Sequence, residues 1–212
     1  MREHLNEVAP RRIAVLDPLK LVIENYPEDK EELCEAPNHP QKPDWGKRPL
    51  PFSRELWIER EDYADPPPKG YFRLYPGNKV RLRYAYVIEC IGYDTQTDTV
   101  RCRLFEDSRS GTPGADAYKV KGNIHWLSAK HAQAADVRLY DRLFATAHPE
   151  GLGDLNPESR KLVSVRLEPS LREAKPEERF QFERHGYFVA DRENPALFNR
   201  TVTLRDSWGA GK

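Results

Sequence analysis

Between Lys69 and Tyr86 the chain carries five positive charges (Lys69, Arg73, Lys79, Arg81 and Arg83) and no acid. Five aromatic rings are interleaved with them: Tyr71, Phe72, Tyr75, Tyr84 and Tyr86. Cations hold phosphates or base edges and rings stack on base faces, so the combination suits a splayed single strand of RNA. From Lys79 the pattern alternates, predicting a strand that buries Val80, Leu82 and Tyr84 and offers Arg81 and Arg83 from its other face. The same pattern also suits an ordinary barrel strand with a solvated charged face, and this stretch alone leaves both readings open. A second stretch, Phe180-Gln-Phe-Glu-Arg184, alternates rings with Gln181 and Glu183. Gln181 can present donor and acceptor together to a base edge, and Arg184 can fork onto one. Cross-strand hydrogen bonding on a solvated face explains the pattern equally well.

Other chemistries lack their residues. His4, His39, His125, His131, His148 and His185 are scattered, with no HExxH and no Cys/His zinc spacing, so no metal site is expected. No GxGxxG, GxxxxGKS or GxSxG appears, so neither a standard nucleotide cradle nor a hydrolase elbow is encoded. Glu61 and Asp62 beside Pro66-Pro67-Pro68 read as a solvated edge rather than a glycosidase dyad. No catalytic residue is therefore assigned.

The elements that must position these residues are short strands. Eighteen prolines are spread through 212 residues and disfavour long helices. Residues 1–10 look like a helix tail or linker ended by Pro10. Arg12 to Asn25 reads as two apolar strands broken at Asp17-Pro18, and Pro27 to Arg48 as a hairpin with a long loop. Phe52 to Arg60 is a strand, and the three prolines mark a boundary. The basic stretch is expected to run on into Val87–Ile91, and Val100–Phe105 returns from a turn near Gln96. Val120–Leu127, Ala135–Phe144, Leu162–Leu167, Arg179–Arg184, Gly186–Val189 and Phe198–Leu204 complete an all-β chain. Apolar Ile13 to Leu16 needs a partner, for which Phe198 to Leu204 is the expected strand.

Lys plus Arg equals Asp plus Glu, 34 each, so the basic signal is local and points to a focused partner rather than a DNA coat. Three cysteines without a CxxC pair predict free thiols in a reduced, cytoplasmic protein. Cys90 and Cys102 could face each other across the hairpin that turns near Gln96. No apolar run approaches the roughly 18 residues of a membrane span.

The residues above, with others in order, resemble a known family. Met1-Arg-Glu-His-Leu-Asn6, Ala9-Pro-Arg11, Ala14-Val-Leu-Asp-Pro-Leu-Lys20, Asn38-His-Pro40, Pro51-Phe-Ser53, Arg81-Leu-Arg83, Ala85-Tyr-Val-Ile88, Val120-Lys-Gly122, Ile124-His-Trp126, Arg138-Leu-Tyr-Asp-Arg-Leu-Phe144, Glu168-Pro-Ser-Leu171, Phe180-Gln-Phe-Glu-Arg184, Gly186-Tyr-Phe188, Phe198-Asn-Arg-Thr-Val202 and Leu204-Arg-Asp-Ser-Trp208 are similar to the C-terminal anticodon-binding region of bacterial glutaminyl-tRNA synthetases. The resemblance runs from about residue 2 to residue 208.

It implies two consecutive antiparallel β-barrels of the kind shared with ribosomal protein L25. A linker would occupy residues 1–10, a proximal barrel residues 11–68 and 150–208, and a distal barrel residues 69–149. Family enzymes join glutamine to its tRNA using ATP, through a preceding fold with HIGH and KMSKS signatures. Neither signature occurs here, so the chain is expected to be a part of such a ligase, with Met1 an added start, no cofactor of its own and no activity alone. The implied partner is the anticodon loop of glutamine tRNA, with no DNA, no membrane and a monomeric state. By motif position Arg73 reads the third anticodon base, and Arg81 with Arg83 holds the first. Arg11, Gln181 and Arg184 surround the middle base, Asn6 lies near the stem-loop, and Lys69 and Lys79 meet phosphates. Gln41 is a further contact, at a position where the family often carries Asn; Phe72 stands where it often carries a basic residue. The rival readings are the same region of an archaeal-type glutamyl-tRNA synthetase and a stand-alone rRNA-binding protein of L25 type.

Overall fold

The structure, a computed structural model, describes residues 2–204. Met1 and the Arg205-Asp-Ser-Trp208 end of the last motif lie outside the described residues. Strands dominate, with one α-helix among the described residues, Arg2–Val8. No helix there is long and apolar enough to cross a membrane. The chain forms two compact units, one of residues 13–133 with 166–169, the other of residues up to 12 with 134–165 and from 170 onward.

The first unit is built on a seven-stranded sheet. Its order is Gly122–Ile124, Lys79–Leu82, Val87–Asp94, Thr99–Leu104, Pro18–Ile23, Glu55–Glu59 and Leu127–Ser128. The two edge strands are separated in the chain by only His125 and Trp126. The sheet must therefore curl until its edges approach, giving a nearly closed barrel. Alternation fills it: Leu19, Leu21 and Ile23 point inward, as do Val80, Leu82, Leu56 and Ile58. Each such side chain contributes roughly 1.5–3 kcal/mol by leaving water. Trp126 is buried, edge-on to Phe52 at 5.0 Å, and its indole N–H donates to the Arg83 carbonyl at 2.9 Å. A hairpin of Glu32–Pro37 and Lys47–Phe52 flanks the barrel, as the long-loop hairpin reading predicts. Arg48, on that hairpin, forks onto buried Glu168 at 2.6 and 2.9 Å, and Glu168 also accepts the Ile13 N–H at 2.7 Å.

In the second unit strand Arg11–Arg12 lies beside Arg179–Phe182, followed by Gly186–Ala190, Leu197–Val202, Gln133–Tyr140 and the first part of Arg160–Leu167. This half-barrel is filled by rings. Phe182 stacks on Phe188 at 4.3 Å and meets Phe198 at 5.5 Å. The helix, through Leu5, and Ala9 just after it close on Tyr187.

Several sequence expectations need correcting. The basic stretch does not run straight on: its strand ends at Leu82 and a turn at Arg83–Ala85 reverses it into Val87–Asp94. Tyr84 sits in that turn at φ +65°, half-buried rather than core. The pairing is not wholly antiparallel. Pro18–Ile23 runs parallel to Thr99–Leu104, and Lys79–Leu82 to Gly122–Ile124, because these strands are joined through long intervening segments rather than tight turns. Strands on both sides of Pro66–Pro68 share one sheet, and the compact units divide elsewhere in the chain, at residues 12/13, 133/134, 165/166 and 169/170. Ala14 and Val15 pair with Leu167 and Arg166 rather than with the last strand.

Candidate nucleic-acid interface

In the barrel unit the basic side chains have distinct surroundings. Arg73 follows the exposed Pro66–Pro68 loop. Its Nη1 lies 3.0 Å from Glu61 Oε1 and 3.0 Å from Asp62 Oδ1. Asp62 is fully buried while Glu61 stays exposed, so the expected solvated edge holds for Glu61 only: an acid fixed in the protein aims a half-exposed guanidinium outward. Asn78 Nδ2 donates to the Arg73 carbonyl at 2.6 Å and the Leu74 N–H donates to Asp62 O at 2.9 Å, so the backbone here is tied on both sides. Lys69 is exposed in a turn closed by the Tyr71 N–H on Pro68 O, with Gly70 at φ +79°. Lys79 is exposed, its ammonium 4.5 Å from the centre of the Phe105 ring.

Arg81 has an internal occupation. Nη1 donates to Ser108 O at 2.9 Å and Nη2 to Ala115 O at 2.7 Å, which pins the 106–117 loop to the strand. Arg83 lies at the turn, 5.2 Å from the Tyr84 ring centre. Gln41 is exposed in the loop of the flanking hairpin, where its N–H donates to His39 Nδ1 at 3.1 Å.

The other unit assembles Asn6, Arg11, Gln181 and Arg184. Arg11 pairs in register with Gln181, and Arg184 lies in the turn after Phe182, at left-handed φ +73°. Gln181 is half-buried between the buried rings of Phe180 and Phe182, as the alternation predicts. Arg11 is buried: its guanidinium donates to Asn6 Oδ1 at 2.6 Å, Asn6 O at 3.0 Å and Ala9 O at 2.7 Å. A cation there satisfies helix-end carbonyls and complements the helix dipole. Burial lowers the Arg11 pKa, against the attraction of Tyr187 and Glu183. Arg11 and Asn6 thus hold the helix against the strand that carries Gln181.

Two family models, both described as the anticodon-binding domain of class I tRNA synthetases (E and Q), match the chain at residues 9–105 and 123–191. The chain belongs to this family. It is 60% identical to a glutamine–tRNA ligase of Cupriavidus metallidurans, over 99% of its own length and 38% of that protein. The ligases of Ralstonia nicotianae and Bordetella pertussis are 57% and 53% identical, again across 99% of this chain. The chain thus spans about 38% of the length of these curated relatives.

Within this anticodon-binding domain the structure adds residues that sequence reasoning missed. Glu61 and Asp62 orient Arg73, and Lys121 places its ammonium 4.9 Å from the centre of the exposed Phe72 ring. Lys121 arrives through the parallel pairing of Gly122–Ile124 with Lys79–Leu82, a non-local contact with no signal in the local pattern.

Proposed function

We propose that this chain is the anticodon-binding region of a glutamine–tRNA ligase and that it holds the anticodon loop of glutamine tRNA for a catalytic portion that attaches glutamine using ATP. The observation that carries the reading is identity of 60% across 99% of the chain to a glutamine–tRNA ligase. The surfaces support it. Arg73, half-exposed and aimed by two acids, suits a guanine edge, where a guanidinium forks onto O6 and N7. Guanine is the base that ends the glutamine anticodons. Exposed Lys69 and Lys79 suit phosphates, and the Gln181–Arg184 turn suits a second base. Arg11, Asn6 and Arg81 act as positioning residues, since their polar groups are engaged within the fold. The complex is one protein monomer with one tRNA in the cytoplasm.

Binding of the purified chain to the anticodon stem-loop of glutamine tRNA tests this. The expected result is salt-sensitive binding that weakens when the third anticodon base is changed from guanine. Equal affinity for stem-loops of every anticodon would overturn it.

A further inference from the structure

Phe72 is 51% exposed, a large apolar ring facing water in a barrel whose other rings are mostly covered. Its backbone is not free to turn the ring inward. The next carbonyl, of Arg73, is held by Asn78 at 2.6 Å, and the preceding Tyr71 hydroxyl donates to Glu61 O at 2.9 Å. On the other side the Phe72 carbonyl lies against Gly122 so closely that a Cβ there would come within 2.1 Å of it. Glycine at 122 is what permits the approach, and the approach fixes residue 72. The exposed Lys121 reaches over one side of the ring, its ammonium 4.9 Å from the centre. A rigidly mounted ring with a cation at one side is the arrangement that binds an unstacked nucleotide: the ring takes the base face and the cation a phosphate.

We propose that Phe72 is a stacking platform for one unpaired base next to the base read by Arg73, and that Lys121 takes the adjoining phosphate. The proposal rests on the anticodon-binding reading and adds to it a contact that supplies affinity without base identity, because every base has a π-face.

The test uses anticodon stem-loops of glutamine tRNA with 2-aminopurine, whose fluorescence is quenched by stacking, on either side of the third anticodon position. The chain should quench the probe at one of these positions. Phe72→Leu should abolish the quench and raise Kd about 5- to 150-fold, equally for all third bases. Phe72→Trp should restore both. Lys121→Met should keep the quench and reduce the salt slope by about 0.7, the share of one phosphate on a single strand. Binding with guanine preference but no quench, or wild-type behaviour of Phe72→Leu, overturns the platform and leaves the anticodon reading standing. Failure of every stem-loop to bind overturns that reading, and the platform with it.

Discussion

At the residue scale the proposed division between base reading and phosphate clamping is tested at Arg73 and Lys79. Arg73→Ala should cost on the order of 1–3 kcal/mol for a stem-loop ending in guanine and shrink the preference for that base. It should also lower the unfolding midpoint, since buried Asp62 loses an ion-pair partner. Lys79→Ala should weaken all stem-loops alike. Titrations of both variants with stem-loops differing only at the third base decide it; equal weakening by Arg73→Ala would make Arg73 a phosphate clamp. A second residue-scale feature is acid sensitivity at Glu32. Burial works to raise its pKa, but hydrogen bonds from the Tyr86 and Tyr26 hydroxyls, at 2.7 and 2.9 Å, and nearby Lys30 lower it overall from 4.5. A carboxylate whose pKa falls on folding stabilises the fold above its unfolded pKa, and that contribution disappears as pH drops through the folded value. Wild type should therefore lose stability more steeply below pH 4.5 than Glu32→Gln, measured as urea midpoints at neutral and acidic pH. Parallel acid limbs for the two proteins would contradict this. The two tyrosines are raised above 10, chiefly by burial, so their contribution fades only as pH climbs past 10.

At the element scale the proposed interface rests on the edge strand Gly122–Ile124, which packs against Phe72. An alanine at 122 would place its Cβ 2.1 Å from Phe72 O and 2.7 Å from Val80 Cγ1, neither of which can move without shifting backbone or core. Gly122→Ala should lower stability by about 1–3 kcal/mol, the usual range for overpacking, with the Arg73 loop displaced. Chemical denaturation measures the first and guanine discrimination the second. The Arg48–Glu168 fork acts on another element, tying the flanking hairpin to the residues that pair with Ala14 and Val15. Glu168→Ala leaves a buried guanidinium without that carboxylate and should cost about 3–5 kcal/mol. An unfolding midpoint close to wild type would show that the fork contributes little.

At the scale of the whole molecule, charge is balanced overall and concentrated locally. Binding should therefore be strongly salt-dependent despite the zero net charge, the logarithm of affinity falling by about 0.7 per phosphate contact on single-stranded RNA for each unit of log salt. An affinity flat from low to moderate salt would rule out phosphate contacts as its source. The 212 residues carry neither HIGH nor KMSKS, so the purified chain should show no glutamine-dependent ATP–pyrophosphate exchange; exchange above background would refute this. Cys34, Cys90 and Cys102 are buried, and Cys90 faces Cys102 in register. All three thiols should resist a bulky thiol reagent until denaturant is added.

Local pattern determined much of this protein. Alternation marked Val80 and Leu82, or Phe180 and Phe182, as inward-facing, Asp17-Pro18 as a break and Gln96 as a turn, because these follow from a few neighbouring residues. Motif order along nearly the whole length placed the chain in its family. What the pattern could not carry was non-local pairing. A strand does not state which distant strand it will meet, so the parallel pairings and the continuation of one barrel past the proline loop emerged only on folding. The same holds for the charges. Arg73, Arg81 and Arg11 look alike in sequence, yet folding gives the first two acids that aim it outward and the others carbonyls that hold them in. Whether a cation reads, clamps or braces depends on what the tertiary structure leaves beside it, because a guanidinium donates to whichever acceptor the fold brings within reach.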